Sequence, residues 1–89
     1  MLERELQVSN RLGLHARAAA KLVQLLSGFR SQVTLTGRGR EVNAKSIMGV
    51  LLLAAAPGAT LVLRAEGDDE AAAVAAAAAL FERRFDEDD

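Results

Sequence analysis

Hydrophobic and polar residues alternate along four short stretches of the chain, and this two-residue period is typical of half-buried β-strands. In the first stretch Leu2, Leu6 and Val8 are expected to face inward, while the polar residues between them face water. The second and third stretches are separated by Gly37-Arg38-Gly39, whose turn chemistry predicts a hairpin. The four predicted strands cover Leu2–Val8, Gln32–Thr36, Arg40–Ala44 and Thr60–Glu66.

Between the first two strands the apolar residues recur with the spacing of a helix. The predicted helix runs over Ala16–Ser27, and Gly28 is expected to end it as a left-handed cap. The charged residues Arg17 and Lys21 lie on the side opposite the apolar stripe. That stripe consists of Ala19, Leu22, Val23 and Leu26.

Two more helices are predicted further along the chain. Ile47–Leu53 is too apolar for periodicity to decide its structure, but Ser46 is a good N-cap and favours a short helix. The last helix is expected to begin at the acidic residues 68–70 and to end near Arg83 and Arg84, which suits the helix dipole at both ends. Its predicted buried stripe consists of Val74, Ala77, Ala78, Phe81 and Phe85.

The predicted element order is β-α-β-β-α-β-α, which places the chain in the α+β class. The expected architecture is a four-stranded antiparallel sheet with three helices packed on one face. All 89 residues fit one domain, and residues 86–89 are expected to form an acidic, frayed tail.

Composition removes several classes of function. The chain has no cysteine and one histidine, so we expect neither a disulfide nor a metal site, and no cofactor fingerprint is present. The apolar runs are shorter than the roughly 20 residues that a spanning helix needs, and the start of the chain does not resemble a signal peptide. We expect a cytoplasmic protein that does not insert into membranes.

Charge is divided unevenly along the chain. Residues 6–65 contain eight Lys or Arg and one acid, whereas residues 66–89 contain nine acids and two bases. A basic working face favours acidic protein surfaces or phosphorylated ligands as partners. Charge alone favours the other interpretation, a solvated surface that binds no partner.

The single histidine lies where a loop becomes a helix. Gly13 breaks the preceding strand pattern, and the alanine-rich helix begins directly after His15. The first N–H groups of a helix lack internal partners and, together with the helix dipole, favour an anion. A neutral imidazole there could attack phosphorus, the N–H groups of Ala16 and Arg17 could hold the phosphoryl group, and the Arg17 guanidinium could bind its oxygens. A lone histidine is equally compatible with a structural role.

Other residues also allow two interpretations. Ser46 is explained by capping alone, and its functional alternative is regulatory phosphorylation at a helix N-terminus. A short helix cannot bury every apolar side chain, so part of this segment is a candidate docking surface. The candidate docking residues are Lys21, Lys45, Ile47, Met48 and Leu51, with Arg11 as a further basic residue. An RNA-binding sheet is a weaker alternative, because no predicted strand contains an aromatic residue for stacking.

Two segments resemble one known family. Gly13-Leu14-His15-Ala16-Arg17 is similar to the active-site signature of the HPr family, the histidine phosphocarriers of the phosphoenolpyruvate-dependent phosphotransferase system. Asn43-Ala44-Lys45-Ser46-Ile47-Met48-Gly49 is similar to the regulatory-serine segment of the same family. The length, element order and motif spacing agree over essentially the whole chain.

The resemblance implies an open-faced β-sandwich and a monomeric phosphoryl carrier rather than a turnover enzyme. His15 would accept a phosphoryl group at Nδ1 from phospho-enzyme I, forming pros-phosphohistidine, and pass it to an EIIA-type protein. Arg17 would stabilise the phosphate, and Ser46 would be the target of an HPr kinase/phosphorylase. A regulatory module that acts through Ser46 without carrier flux is the alternative; neither reading needs a cofactor, nucleic acid or membrane.

The sequence departs from the family pattern in two places. Proline usually follows the active-site arginine, whereas this chain has Ala18, which forgoes a fixed φ but keeps an N–H group. The segment Leu80–Asp88 resembles the nitrogen-branch paralogue NPr, whereas the Ser46 segment is closer to sugar-branch or kinase-regulated HPr. The sequence leaves the branch open.

Overall fold

The element order predicted from the sequence is the order found in the computed structural model, which describes residues 1–87. Asp88 and Asp89 of the predicted tail lie outside the described residues. The elements are β1 (Leu2–Gln7), α1 (Ala16–Leu26), β2 (Gln32–Gly37), β3 (Arg40–Asn43), α2 (Ile47–Leu52), β4 (Thr60–Glu66), α3 (Glu70–Glu82) and a short 3-10 turn (Arg84–Asp86).

The four strands form one antiparallel sheet in the spatial order β1-β4-β2-β3. Leu63 of β4 lies opposite Leu35 of β2, and Leu61 of β4 lies opposite Leu6 of β1, so the alternating apolar residues share one face. That face packs against the helices, and the other carries the polar residues of the alternation. The predicted α+β open-faced β-sandwich is confirmed.

The hydrophobic core lies between the sheet and the helices and is built mainly from leucine, valine and alanine. All five residues of the predicted α3 stripe are buried. Phe85 is fully buried just beyond α3 and packs against Phe81, with ring centroids 4.9 Å apart. The 3-10 turn that follows α3 is therefore fixed to the core by a large aromatic side chain.

Two local predictions are wrong. Leu2 lies opposite Ala65 but stays 38% exposed, because it begins an edge strand at the margin of the core. Gly28 does not take a left-handed conformation; α1 ends at Ser27 in the right-handed region, and Gly28 and Phe29 donate to the carbonyls of Leu25 and Leu26. This tighter ending needs no positive φ.

Helices α1 and α2 run antiparallel, and hydrogen bonds mark both ends of the pair. Near the start of α1, the Leu14 N–H donates to the Ala55 carbonyl, beyond the end of α2 (3.0 Å). At the other end, Lys45 Nζ, just before α2, donates to the Phe29 carbonyl beyond the end of α1 (2.7 Å). Eleven residues of α1 span about 16 Å, so the two ends of the pair are well separated.

Candidate functional site

His15 is the N-cap residue of α1, as the sequence predicts. Its backbone is extended (φ −80°, ψ 179°), and its side chain makes no capping hydrogen bond. The His15 carbonyl accepts the first helical hydrogen bond, from Ala19 N–H at 2.9 Å. The imidazole is therefore available for other contacts, and its side chain is 27% exposed.

The loop before His15 is held by the segment that follows α2. Gly13 has φ +69°, and a Cβ atom there would lie 2.5 Å from the carbonyl oxygen of Ala55. Only glycine fits this close approach, and only glycine takes the conformation at little cost. Gly13 thus fixes the entry angle of the chain into α1, and with it the position of His15.

The first turn of α1 presents its backbone N–H groups to the same region. Ala16, Arg17 and Ala18 are the first three helical residues, and such positions have no acceptor within their own helix. Arg17 is exposed, while Ala18 is fully buried. The Ala18 N–H, which proline would lack, adds a third donor to those of Ala16 and Arg17.

A surface pocket opens around His15. Three basic side chains stand on its wall, which gives the pocket the charge needed to attract an anion. The lining residues are Arg11, Leu12, His15, Ala16, Arg17, Lys21, Asp86 and Glu87.

The sequence did not indicate three residues of this site: Asp86 and Glu87, which line the pocket, and Asn10, which is buried beside it. His15 Nε2 pairs with Glu87 Oε2, and Asn10 Nδ2 donates to Glu87 Oε1 at 3.1 Å. The pKa of Glu87 is lowered mainly by the hydrogen bond from His15; burial opposes this shift, and the weaker hydrogen bond from Asn10 adds to it. Residues 86 and 87 thus make defined contacts where the sequence led us to expect a frayed end.

Lys21 ties the end of the chain to α1. Its Nζ donates to the Phe85 carbonyl at 2.7 Å and lies 3.7 Å from Asp86 Oδ2. The docking residue inferred from sequence thus lies in the His15 pocket, with its ammonium already engaged by the chain terminus.

Ser46 caps α2 as predicted, since its Oγ accepts from the Gly49 N–H at 3.1 Å. It lies at the end of the α1–α2 pair remote from His15. Lys45 directs its ammonium to Phe29 rather than toward Ser46 or the His15 pocket. The structure therefore brings together His15, Arg17 and Lys21, and leaves Lys45 and Ser46 apart from them.

The apolar docking residues inferred from the sequence differ in exposure. Ile47 and Met48 are 42% and 70% exposed, whereas Leu51 is half-buried against the core. Leu52 and Leu12 are 57% and 65% exposed and were missed. Leu12 could not be recognised from periodicity because it lies in a loop, and Leu52 because its helix is apolar throughout.

Residues 1–87 contain no cluster of three or more acidic or histidine side chains suited to a metal ion. Within the same residues, no helix has the length and apolar character needed to cross a membrane.

Comparison with known proteins decides the family. The sequence model described as "PTS HPr component phosphorylation site" matches residues 2–83. The chain belongs to the HPr family. It is accordingly a phosphocarrier of the phosphotransferase system.

Relatives of this HPr-family chain include proteins named HPr and a protein named NPr. It is 61% identical over 88 residues to the phosphocarrier protein HPr of Xylella fastidiosa (strain Temecula1), covering 99% of each chain. It is 42% identical over 86 residues to the phosphocarrier protein NPr of Shewanella violacea, covering 97% and 94%. The crystal structure of HPr-C-His from Thermoanaerobacter tengcongensis superposes with a TM-score of 0.95 at 44% identity, covering 99% of each chain.

Proposed function

We propose that His15 accepts a phosphoryl group at Nδ1 from phospho-enzyme I and passes it to an EIIA-type protein. The observation that carries this proposal is the position of His15 at the N-terminus of α1, in a pocket that also contains Arg11, Arg17 and Lys21. The imidazole is partly exposed, so a protein donor and a protein acceptor can reach it in succession. The protein acts as an intermediate with no turnover of its own.

The transfer step is a displacement at phosphorus. The lone pair of His15 Nδ1 forms a bond to phosphorus while the bond between phosphorus and its donor atom on enzyme I breaks, and the electron pair leaves with the donor. Transfer to the acceptor repeats this step with His15 as the leaving group. The site must therefore stabilise the phosphoryl group moderately, since a deeply buried adduct could not be passed on.

Arg17 and the backbone stabilise the bound phosphoryl group in this proposal. The N–H groups of Ala16 and Arg17 supply donors and the positive end of the helix dipole. The exposed Arg17 guanidinium supplies a planar pair of donors for phosphate oxygens. No single charge of this set is buried, so the phosphoryl group remains accessible.

Partners dock on the surface around the pocket and along α2. Leu12 leaves apolar area exposed in the pocket beside its basic residues, and Ile47, Met48 and Leu52 leave further apolar area exposed on α2. A partner with an acidic rim and an apolar centre fits this combination. The docking roles of Lys45 and Leu51 are the least supported, because Lys45 bonds to Phe29 and Leu51 is half-buried.

Regulation through Ser46 forms the second part of the proposal. An HPr kinase/phosphorylase would place a phosphate at the start of α2, where its oxygens could replace the hydroxyl as acceptor for the Gly49 N–H. The added charge would lie beside exposed Ile47 and Met48 and weaken docking of acidic partners. The pocket around His15 favours this regulated carrier over a module that acts through Ser46 alone.

The deciding experiment is intact-mass measurement after incubation with phosphoenolpyruvate and enzyme I. Wild type and His15→Ala are compared, with a known carrier as positive control and with enzyme I of both the sugar and the nitrogen branch. We expect one acid-labile phosphoryl adduct on wild type and none on His15→Ala.

An adduct that persists in His15→Ala would contradict the assignment. The same holds for unmodified wild type when both enzymes label their control carriers. The enzyme I that reacts faster would identify the branch.

A further inference from the structure

Residues 83–87 fold back onto α1 and reach the imidazole. The C-terminal arm, residues 83–87, turns sharply because Arg84, Phe85 and Asp86 all have positive φ (55°, 56° and 61°). Phe85 is fully buried within the arm, and Lys21 holds its carbonyl at 2.7 Å. The arm is thus fixed to the core on one side and to α1 on the other.

The arm delivers a carboxylate to one particular nitrogen of the histidine. Glu87 Oε2 pairs with His15 Nε2, and the Glu87 side chain is only 11% exposed. A carboxylate accepts hydrogen bonds and donates none when ionised, so Nε2 must carry the proton in this pair. The pKa of Glu87 is lowered by the same contact, which keeps the carboxylate ionised.

A buried amide holds the carboxylate in place. Asn10 is completely buried, and its Nδ2 donates both to Gly13 O at 2.7 Å and to Glu87 Oε1 at 3.1 Å. Asn10 therefore connects the loop that sets the His15 backbone with the acid that contacts the His15 ring. Its Oδ1 is buried without a hydrogen-bond partner among the described residues, which is costly for a polar atom.

We propose that Glu87, held by Asn10, is a positioning residue that fixes His15 as the Nε2–H tautomer and so directs the Nδ1 lone pair toward the phosphoryl donor. The proposal rests on the proposed function and names a group that the function itself does not require. A carboxylate partner plays the same part for many catalytic and metal-binding histidines, where it sets which nitrogen is protonated.

The proton balance of the transfer follows from this contact. When Nδ1 bonds to phosphorus, Nε2 keeps its proton, so the ring becomes a cation. The ionised Glu87 then pairs with that cation at Nε2, on the side of the ring away from the new bond. When the phosphoryl group leaves, the electron pair returns to Nδ1 and the ring is again neutral.

Several other charges face the ring from neighbouring elements. Arg11 of the loop, Arg17 and Lys21 of α1 and Asp86 of the arm line the same pocket. Glu87 is distinguished from them by its direct contact with a ring nitrogen. For this reason we attribute the preference for the Nε2–H tautomer to Glu87 and not to the overall charge of the pocket.

The test compares Glu87→Ala with Glu82→Ala in the full chain. Both variants remove one glutamate charge, but Glu82 is exposed on α3 and outside the His15 pocket. The readout is the ¹⁵N spectrum of the imidazole at a pH where the ring is neutral, because the two nitrogens report the tautomer directly. Initial rates of phosphorylation by enzyme I and thermal midpoints are measured on the same samples.

We expect wild type and Glu82→Ala to show the Nε2–H tautomer and Glu87→Ala to show a mixture. The transfer rate at saturating enzyme I should fall about tenfold in Glu87→Ala alone, as for loss of other histidine-orienting partners. Glu87→Asp, whose shorter side chain keeps the charge, should restore part of the tautomer preference. Equal thermal midpoints in the two alanine variants would exclude a folding defect as the cause.

An unchanged tautomer in Glu87→Ala would overturn the positioning role. A spectrum showing that the wild-type imidazole is mainly the Nδ1–H tautomer would also overturn this role. The spectrum is read without any phosphoryl donor, so failure of wild type to accept phosphate would contradict the proposed function and leave this result standing.

Discussion

Gly13 shows how one residue without a side chain determines where the reactive one lies. Its φ of +69° is combined with a backbone approach that leaves no space for a Cβ, which would lie 2.5 Å from Ala55 O. Gly39 has nearly the same φ, +75°, but nothing lies within 4 Å of its Cβ position. A side chain would be strained by the positive φ at both positions, but it would clash with neighbouring atoms only at Gly13.

Gly13→Ala should destabilise the protein more than Gly39→Ala. The left-handed conformation costs alanine about 1 kcal/mol at either position. At Gly13 the clash with Ala55 adds a further cost of about 1–3 kcal/mol, typical of overpacking. Urea unfolding of both variants measures the difference.

Gly13→Ala should also slow phosphorylation of His15, since the loop must shift away from the end of α2. Gly39→Ala, which lies in the β2–β3 turn, is the control for activity. Equal losses of stability in the two variants would contradict the steric argument.

At the residue scale, the sequence indicated the site residues that are close together in the chain and missed those that only the fold brings to the site. His15, Gly13 and the start of α1 are neighbours in the chain, so their combination could be read directly. Glu87 is 72 residues from His15, and its acidic neighbours resemble an ordinary solvated tail. Asn10 was likewise indistinguishable from a loop residue, because its burial depends on the arm that covers it.

At the scale of elements, Asp69 joins the start of β2 to the start of α3. Its carboxylate accepts from Arg30 N at 2.9 Å, Ser31 N at 3.0 Å and Ser31 Oγ at 2.5 Å. These bonds, with that from Ser31 Oγ foremost, lower the pKa of Asp69 to about 2. Asp69 lies at the start of α3, as predicted, and its carboxylate also connects this helix start to β2, which was not predicted.

Asp69→Ala should lower stability at neutral pH, and the difference from wild type should disappear in acid. The pKa of Asp69 is about 2 in the folded state, below the ordinary aspartate value of 3.8, so ionised Asp69 stabilises the folded state. The contribution is complete above about pH 4 and is lost as the pH falls toward 2. Thermal unfolding across this range measures it.

Asp68→Ala is the matched control, because Asp68 is adjacent, acidic and exposed. A difference between Asp69→Ala and wild type that persists undiminished at pH 2 would show that the effect does not come from ionisation of Asp69.

The elements also show where sequence patterns reach their limit. β4 was predicted with its observed bounds, Thr60–Glu66, because it lies in the sheet interior and alternates strictly. The C-terminal arm could not be predicted, since three successive non-glycine residues with positive φ are unfavourable in isolation. Burial of Phe85 and the bonds from Lys21 offset that cost, and neither is visible in a local pattern.

At the scale of the whole molecule, the fold brings the basic and acidic parts of the sequence together in one pocket. Two acidic residues from the C-terminal part of the chain, Asp86 and Glu87, lie in the same pocket as Arg11, Arg17 and Lys21. The folded chain thus partly neutralises its own basic site. A partner with an acidic surface meets a pocket whose field is weaker than the sequence alone indicated.

Ser46→Asp should slow phosphoryl transfer from enzyme I while leaving the intrinsic reactivity of His15 unchanged. The two residues lie at opposite ends of the α1–α2 pair, so salt screens a charge at one end from the other. The rate with enzyme I and the rate with a small phosphoramidate donor are measured side by side.

The expected loss with enzyme I appears in KM, because the added charge acts on docking. Gln7→Glu, which adds one charge on the exposed face of β1, is the control. A Ser46→Asp variant that reacts more slowly with the small donor would indicate a direct effect on His15.

The antiparallel helix pair has a consequence for signalling. Under the proposed function, a phosphoryl group on His15 and a phosphate on Ser46 are added independently, which gives four covalent states and not two. A partner that contacts only the His15 end would respond to phosphorylation of His15 alone. A partner that contacts both ends would respond to the combination of the two modifications. The extent of a partner's contact surface along α2, more than its affinity, then decides which phosphorylated states it distinguishes.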